Sequence, residues 1–544
     1  MISRPLRLTA ALLCLVSASV ACQQSPGSGP SGPGSAKLQV TTPAAKGAVD
    51  SLRWNVGTEP PSLDWVYGYD YPPNTVLSNV CESLMRIGPD FSVQPNLAEK
   101  VDHPDPLTYV YTVRQNVTFH DGSMMTAEDV AYSLSRHRDA KVGSYWSTAY
   151  ANVASVKVSG PRQVTVKLSR PDALFNELMA VPPGVVASKA SVRKLGKRFG
   201  SPDGGLNCTG PFSLKRWSKG QSITLERHDG YWDPARAAKP ASVEFVFLKD
   251  VTTSVNALVA GEVDGAYGVA APSYARLRSS GKGALVFGPT TSTVNLVVSD
   301  LKGPLADVRL RRALSLALDR KGFAKTAFGG YAEPSRAVAS RFTWGKGPAR
   351  AVFEKAWKSL PPAEQDVAEA KRLVAQAGKP SRPIVVAASN AGSVNPLIGT
   401  EVQAAGKRIG LDVEIKAIAP EAYGALFGDA KAREGIDLFH TSWYADIAQP
   451  LQVYQNWHSE SFANYGGYRD AAYDRLITEA LAEPDPLSRA ELTARAQRTV
   501  SEQLLWIPLV QTPGTLFMNR RITGAPATNA YLYYPWAARI GSSR

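Results

Sequence analysis

At 544 residues with a net charge of +14, the chain is too long for one compact core and is expected to divide into two or three lobes. Its 61 Lys and Arg are scattered among 47 Asp and Glu, with no long basic run and no recognition-helix signature, which argues against nucleic acid as a partner. Apolar content is 44%, ordinary for a globular chain, and no segment after the N-terminus is apolar for long enough to cross a bilayer.

The first 22 residues form a unit of their own. Arg4 and Arg7 make a basic start, Leu8 to Val20 an apolar run too short for a comfortable membrane span, and Ser19-Val20-Ala21 lead with small residues into Cys22. A Gly/Ser/Pro-rich tract follows, and residues 23–48 are expected to be a flexible linker. The pattern resembles a bacterial lipoprotein, with residues 1–22 as signal peptide and Cys22 as the lipidated N-terminus; the alternative is an ordinary secretory signal beside a chance cysteine. On an exported protein, positive charge favours a nearby anionic membrane surface. Cys14 leaves with the signal, so Cys81 and Cys208 remain, either as a disulfide or as two separately buried thiols.

Leu52 to Gly57 alternates and predicts a first strand, ended by the turn at Glu59-Pro60-Pro61. Thr108 to Arg114 predicts a strand with Tyr109, Tyr111 and Val113 on one face. His120-Asp121-Gly122 turns the chain, and Thr126 with Asp129 reads as a capping box opening a helix. Val153 to Leu168 predicts a hairpin turned at Gly160-Pro161, and Ile223 to Arg227 and Ser242 to Leu248 predict further strands. Thr252 to Ala260 predicts a helix stopped by Gly261. From about residue 305 longer helices alternate with short strands. Leu310, Ala313, Leu314, Ala317 and Leu318 form one apolar stripe, on a helix expected to run to Gly329-Gly330. Helices are expected over 367–377, 397–409, 473–482 and 489–505, the last stopped by Pro508, and strands over 384–388, 411–415 and 436–439. The tail from Leu509 is aromatic and strand-like. Strand–helix alternation of this kind implies an α/β layered body.

Catalytic signals are poor. The chain has no Gly-x-Ser-x-Gly elbow, His-Glu-x-x-His, Cys-x-x-Cys or Walker A loop. Ser191-Val192-Arg193-Lys194 and Ser279-Ser280-Gly281-Lys282 match Ser-x-x-Lys, but no Lys-Thr-Gly partner exists. The six histidines are single and lack metal-ligand spacing. No cofactor, metal or catalytic residue is expected, and a long exported chain without them points to binding.

Five segments carry a resemblance. They are Gly57 to Asp64; Tyr109 to Arg114 with Val117 to Gly122 and Thr126 to Val130; Thr209-Gly210-Pro211-Phe212 with Tyr231-Trp232 and Gly261 to Asp264; Val308 to Leu314 through Asp319-Arg320; and Ser442 to Asp446 with Trp506 to Leu509. In this order they resemble the extracellular solute-binding proteins of ABC importers, in the oligopeptide/dipeptide/nickel-binding class known as family 5. The resemblance implies an α/β, two-lobed fold of the type II periplasmic-binding-protein kind, with an additional subdomain inserted in the first lobe. It implies a first-lobe core from residues 49–79, 207–295 and 512–544, an insertion over 80–206, and a second lobe over 296–511. Cys81 and Cys208 would stand at the neck of that insertion, where the two chain segments run close, which favours the bridge.

By the same resemblance Asp446 would accept the α-ammonium of a peptide, Trp443 would offer a flat wall, Tyr444 would pair with ligand main chain, and Glu59 would face the cleft with Tyr67, Tyr69 and Tyr71 at its opening. Read as residues alone, Asp446 also suits a turn or a structural ion pair, Trp443 core packing, and the tyrosines a packed loop. Expected partners are a peptide or other small-molecule ligand, ABC permease subunits, and the membrane through the lipid anchor, for a monomer on the extracytoplasmic face. The alternatives are the same fold binding a sugar, opine or metal chelate, an exported hydrolase, or a ligand sensor.

Overall fold

The computed structural model describes residues 37–390, 392, 394–530 and 533–544. The signal segment, Cys22 and the first part of the linker lie outside the described residues.

Two mixed sheets organise the chain. The first has seven strands in the order Phe212–Ser218, Ser222–Arg227, Pro240–Val246, Val49–Asn55, Gly265–Tyr267, Gly514–Asn519 and Gly283–Gly288. Val49–Asn55 lies parallel to a neighbour on each side. Its core is aromatic: the fully buried Trp54 packs with tilted rings against Trp536 at 4.6 Å and Tyr267 at 5.2 Å. The second has six strands, in the order Glu333–Pro334, Trp506–Gln511, Thr293–Val298, Leu438–Trp443, Ile384–Ser389 and Val413–Ile418. Thr293–Val298 and Trp506–Gln511 are buried along their whole length, because helices and neighbouring strands cover both faces.

The chain passes between the two sheets twice, from Gly288 to Thr293 and back from Gln511 to Gly514. The two passages touch: the Thr290 hydroxyl donates to the Thr512 carbonyl at 3.1 Å. Gly514 is required there, since a Cβ would lie 2.4 Å from Thr528 Oγ1.

Between Cys81 and Cys208 the chain leaves the first sheet and builds smaller ones, chiefly a four-stranded sheet ordered Ala98–Asp105, Thr108–Val113, Gln163–Leu168 and Val153–Gly160. Tyr109, Tyr111 and Val113 all turn inward, as their alternation predicts. The capping box forms as expected: Asp129 N–H donates to the Thr126 hydroxyl at 3.4 Å, and Thr126 N–H donates to the Asp129 carboxylate at 3.0 Å. Cys81 and Cys208 are joined by a disulfide with Cα atoms 4.9 Å apart. The neck around it is tight, with Gly210 N–H donating to Val80 C=O at 2.9 Å; a Cβ at Gly210 would lie 2.4 Å from that oxygen.

Two expectations are corrected. The stripe from Leu310 sits on two helices, Val308–Ala317 and Arg320–Phe328, not one. Leu318 is extended, and Asp319 accepts from Gly322 N–H at 2.8 Å, because a short carboxylate caps a helix start better than it fills an interior. Nor does Pro508 stop the last long helix. Pro486–Gln503 ends at Leu504 in the left-handed region (φ 45°), and Pro508 lies within the strand that follows, where the pairing with Thr293–Val298 slips register. A proline cannot donate to the ladder, and a bulge tolerates that loss.

The disulfide spans 127 residues, a loop for which chain entropy allows about 4–5 kcal/mol. Thiol labelling of the denatured, unreduced protein is expected to find neither Cys81 nor Cys208 free, and Cys208→Ser is expected to cost about 2–5 kcal/mol in denaturant unfolding.

Candidate functional site

In each sheet a central strand that has a parallel neighbour delivers a loop at its carboxyl end, the position where α/β sheets expose backbone to ligands. After Val49–Asn55 the chain turns at Gly57 (φ +78°), whose N–H donates to the Asn55 side chain at 2.9 Å. The residues that follow are held firmly. Asp64 takes two hydrogen bonds from the Arg136 guanidinium, at 2.8 and 2.6 Å, and both side chains are almost fully buried. The same guanidinium lies over the Trp65 ring at 4.5 Å. Trp65 Nε1 donates to His137 Nε2, Trp146 Nε1 to Gly68 C=O, and the Tyr67 hydroxyl to Val142 C=O. The segment 64–71 is thus clamped to the residues inserted between the cysteines. Asp70 then caps the helix Tyr71–Leu77, accepting from Tyr71 N–H at 2.7 Å.

From the second sheet, Leu438–Trp443 delivers Tyr444 and Asp446. Trp443 is half-buried with its ring edge-on to Trp506 at 5.3 Å, so it backs the loop against the core. Ala445 C=O accepts from the Thr291 hydroxyl at 2.6 Å, which ties this loop to the first passage between the sheets. The Gln452 side chain closes a ring around Asp446: its Oε1 accepts from the Asp446 and Ile447 N–H groups at 2.9 and 3.3 Å, and its Nε2 donates to Asp446 Oδ2 at 2.7 Å.

The two loops meet. The Tyr444 hydroxyl donates to Tyr69 C=O at 2.6 Å, and the Tyr444 and Tyr71 rings lie 5.4 Å apart. Tyr145, from the inserted residues, stacks on Tyr69 at 4.6 Å. Two carboxylates face this tyrosine group. Burial raises Asp446 to about 6 against the opposing pull of Gln452, and burial also raises Asp70, although its side chain still reaches water. Both carboxylates add to the burial that pushes up the phenols of Tyr71, Tyr145 (to about 12) and Tyr444. Among the described residues neither Asp70 nor Asp446 forms an ion pair with a Lys, Arg or His. The result is a cluster of tyrosines with two carboxylates beside it and, among the described residues, no cation paired with either, which is chemistry suited to a positively charged group.

Asp446, Tyr444 and Tyr69 are therefore brought together, with Trp443 behind them. Glu59 is engaged elsewhere: its carboxylate accepts from Trp217 Nε1 at 2.7 Å and Gly220 N–H at 3.0 Å, fastening the loop to the hairpin at the edge of the first sheet. Asp70, Tyr145 and Gln452 were not singled out from the sequence. Asp70 had a signal, a capping aspartate ahead of Pro72-Pro73; Tyr145 and Gln452 had none. Among the described residues no three His, Cys, Asp or Glu side chains cluster as a metal site, and no helix is long and apolar enough to cross a membrane.

Residues 92–465 match the model of the bacterial extracellular solute-binding proteins, family 5. The chain belongs to that family. This solute-binding protein is 25% identical over 480 residues to the glutathione-binding protein GsiB of Escherichia coli O1:K1, a match covering 86% of this chain and 90% of that one. Among solved structures, DppA from Helicobacter pylori in complex with the peptide STSA is similar with a TM-score of 0.78 and 20% identity, covering 92% of this chain and 99% of that one. AgaA from A. tumefaciens R10 in complex with agropinic acid is similar with a TM-score of 0.76 and 22% identity, covering 91% and 99%. The α/β fold is that of type II periplasmic binding proteins, and the protein is an extracytoplasmic binder of solutes, not an enzyme.

The Asp64–Arg136 pair sets the shape of the first loop. Arg136→Leu leaves a buried carboxylate without its partner, and a loss of about 3–5 kcal/mol is expected in denaturant unfolding. A loss of less than about 1 kcal/mol would show that the loop is held by its other bonds.

Proposed function

We propose that this protein is the ligand-capturing component of an ABC importer, closing on an intact peptide or peptide-like solute and delivering it to a permease. One lobe is residues 49–79, 207–295 and 512–544, with 80–206 inserted; the other is 296–511. Cys22 carries the lipid that keeps a monomer at the outer face of the membrane.

The observation that carries this reading is the pair of carboxylates, Asp446 and Asp70, facing three shared tyrosines with no cation of the protein's own. An ionised carboxylate held away from water is costly unless it is paired. A ligand ammonium at Asp446 supplies the missing partner, through a charge-assisted bond contributing about 1.5–3 kcal/mol. The second support is that the site is built from both sheets. A ligand seated there touches both lobes only when they are closed, so its binding favours closure by the difference in contact between the two states. The Tyr444–Tyr69 hydrogen bond belongs to the closed arrangement and has to open for the ligand to enter. GsiB is named for glutathione and DppA was solved with a peptide, and both ligand types carry an α-ammonium group.

Native mass spectrometry of protein taken directly from cells is expected to reveal a co-purified solute of peptide mass. Incubated with trialanine or glutathione, the purified protein is expected to return the compound unchanged; steady turnover would overturn the reading. Asp446→Asn is expected to weaken binding of the preferred compound more than tenfold, which is at least about 1.4 kcal/mol. N-acetylation of that compound is expected to cost as much, and equal affinity for the acetylated form would remove the ammonium role.

A pH dependence follows. An ammonium beside Asp446 lowers a pKa that stands at about 6 in the empty site. The carboxylate's contribution is full above about pH 6 and is lost as pH falls toward the value in the loaded state. Calorimetry from pH 5 to 8 is expected to show affinity dropping on the acid side only for compounds with a free ammonium.

A further inference from the structure

The segment that carries Asp446 has a third attachment. Gln452 grips it from its own helix and Thr291 from the passage between sheets, and Gln449 reaches outward across the gap. Gln449 Nε2 donates to Glu177 Oε1 at 2.7 Å, a bond spanning 272 residues between the inserted subdomain and the ligand loop. It is not isolated. Beside it, Ala173 N–H donates to Leu481 C=O at 2.8 Å, a backbone bond from the insertion to the end of the helix Ala471–Ala482. Farther along the same face, Lys346 pairs with Asp90, and Arg170 lies 3.9 Å from Glu460. The insertion hangs from the first sheet by its disulfide neck, yet its far side rests on the second body.

We propose that Glu177 is a positioning residue for the ligand loop, and that the inserted subdomain docks through it on the second lobe to hold the segment 446–452 in its binding arrangement. The inference rests on the reading of Asp446 as the ligand's anchor. Glu177 sits in the short helix Phe175–Leu178, whose Phe175 and Leu178 are buried in the insertion's core, so its backbone is rigidly placed. Tyr111 donates its hydroxyl to the neighbouring Asn176 at 3.2 Å, and Tyr109 to Asp172 C=O at 3.2 Å, which fixes the segment from behind. Gln449 leaves the loop between Ile447, which is fully buried, and Pro450, so a pull at its amide is transmitted to the turn that contains Asp446.

The charges around Glu177 give the contact a pH sense. From the second lobe the helix Pro486–Gln503 presents Arg489, whose guanidinium is engaged with Glu483 C=O at 2.8 Å and makes no ion pair with Glu177. From the insertion come Asp172 and Tyr109; burial raises Asp172, and it raises Tyr109 to about 12. Burial dominates at Glu177 itself and raises it to about 7, with Arg489 and Gln449 pulling the other way. Undocked and exposed, the same carboxyl returns to its ordinary value of about 4.3. A group whose pKa rises on docking favours the docked form fully below its undocked value, and that advantage is lost as pH rises through the docked value. The window, roughly pH 4.3 to 7, is opposite in sense to that of an ammonium-paired Asp446.

Site-resolved hydrogen exchange on the ligand-free full-length protein, corrected for intrinsic exchange rates, tests this without reference to any ligand. Protection of the Ala173 amide is expected to be about tenfold or more greater at pH 5.5 than at pH 8. Glu177→Gln keeps the hydrogen bond and removes the charge, and is expected to hold high protection at both values. Glu177→Ala is expected to lose protection at both, at Ala173 and also at the Asp446 and Ile447 amides, while thermal unfolding shows the variant folded. Wild-type protection that does not change with pH, or Glu177→Gln following the wild type, would overturn the pH-sensitive contact. Unaltered Asp446 and Ile447 protection in Glu177→Ala would overturn the positioning role. A failure of the ammonium reading would leave all of these measurements unmoved.

Discussion

A partly buried carboxylate with no cationic partner among the described residues is the constraint around which this site is arranged. Asp446 is held by one glutamine amide and its own turn, in a chain whose net charge is +14 and which has basic side chains to spare. Burial opposes its charge, as its raised pKa records. Some buried carboxylates are paired, Asp64 with Arg136 in the interior, Asp437 with Arg382 at 2.8 Å, and Asp264 with Arg521, while Glu82 and Glu177, like Asp446, are held by neutral hydrogen-bond donors. What sets Asp446 apart is its company: tyrosines, which add hydrogen bonds and ring faces without positive charge, surround it, and this is the setting in which a cationic ligand group is proposed to sit.

What places that carboxylate is the pair of chain passages between the sheets. Thr291 lies on one of them and holds Ala445, so the loop that bears Asp446 is anchored where the chain crosses between the sheets. Its other contacts lie elsewhere, at Tyr69 and at Glu177. The loop is thus bonded to the passage between the sheets and touched from two further sides. On the proposed reading, closure and completion of the site would be one event, which is what population shift by a ligand requires.

Much of the fold was legible in the sequence, because local signals there agree with the tertiary structure. The alternation of Tyr109, Tyr111 and Val113 and the Thr126–Asp129 box are decided within a few residues, and each formed as its pattern implied. The errors arose where a local signal had two outcomes. Asp319 suits a helix start, but a continuous apolar stripe concealed it, and Pro508 reads as a stop unless the register slip that accommodates it is known. The helix Tyr71–Leu77 was not predicted; Pro72 and Pro73 stand in its first turn, where proline is welcome.

The site was legible on one side only. Trp443, Tyr444 and Asp446 lie close together at the end of a strand, so a pattern carries them. Their counterparts depend on distance: Tyr145 reaches the site through the insertion's own fold, and Glu59, which stands in a recognisable turn, is drawn away by Trp217, 158 residues later. No local pattern reports whether a carboxylate will be claimed by a partner far along the chain. The same ignorance applies to Asp64, claimed by Arg136, and to Asp446, left free of cations. Sequence order presents the three aspartates or glutamates of these turns as equals, and only tertiary packing separates Glu59 and Asp64, which brace the scaffold, from Asp446, which is left to neutral partners.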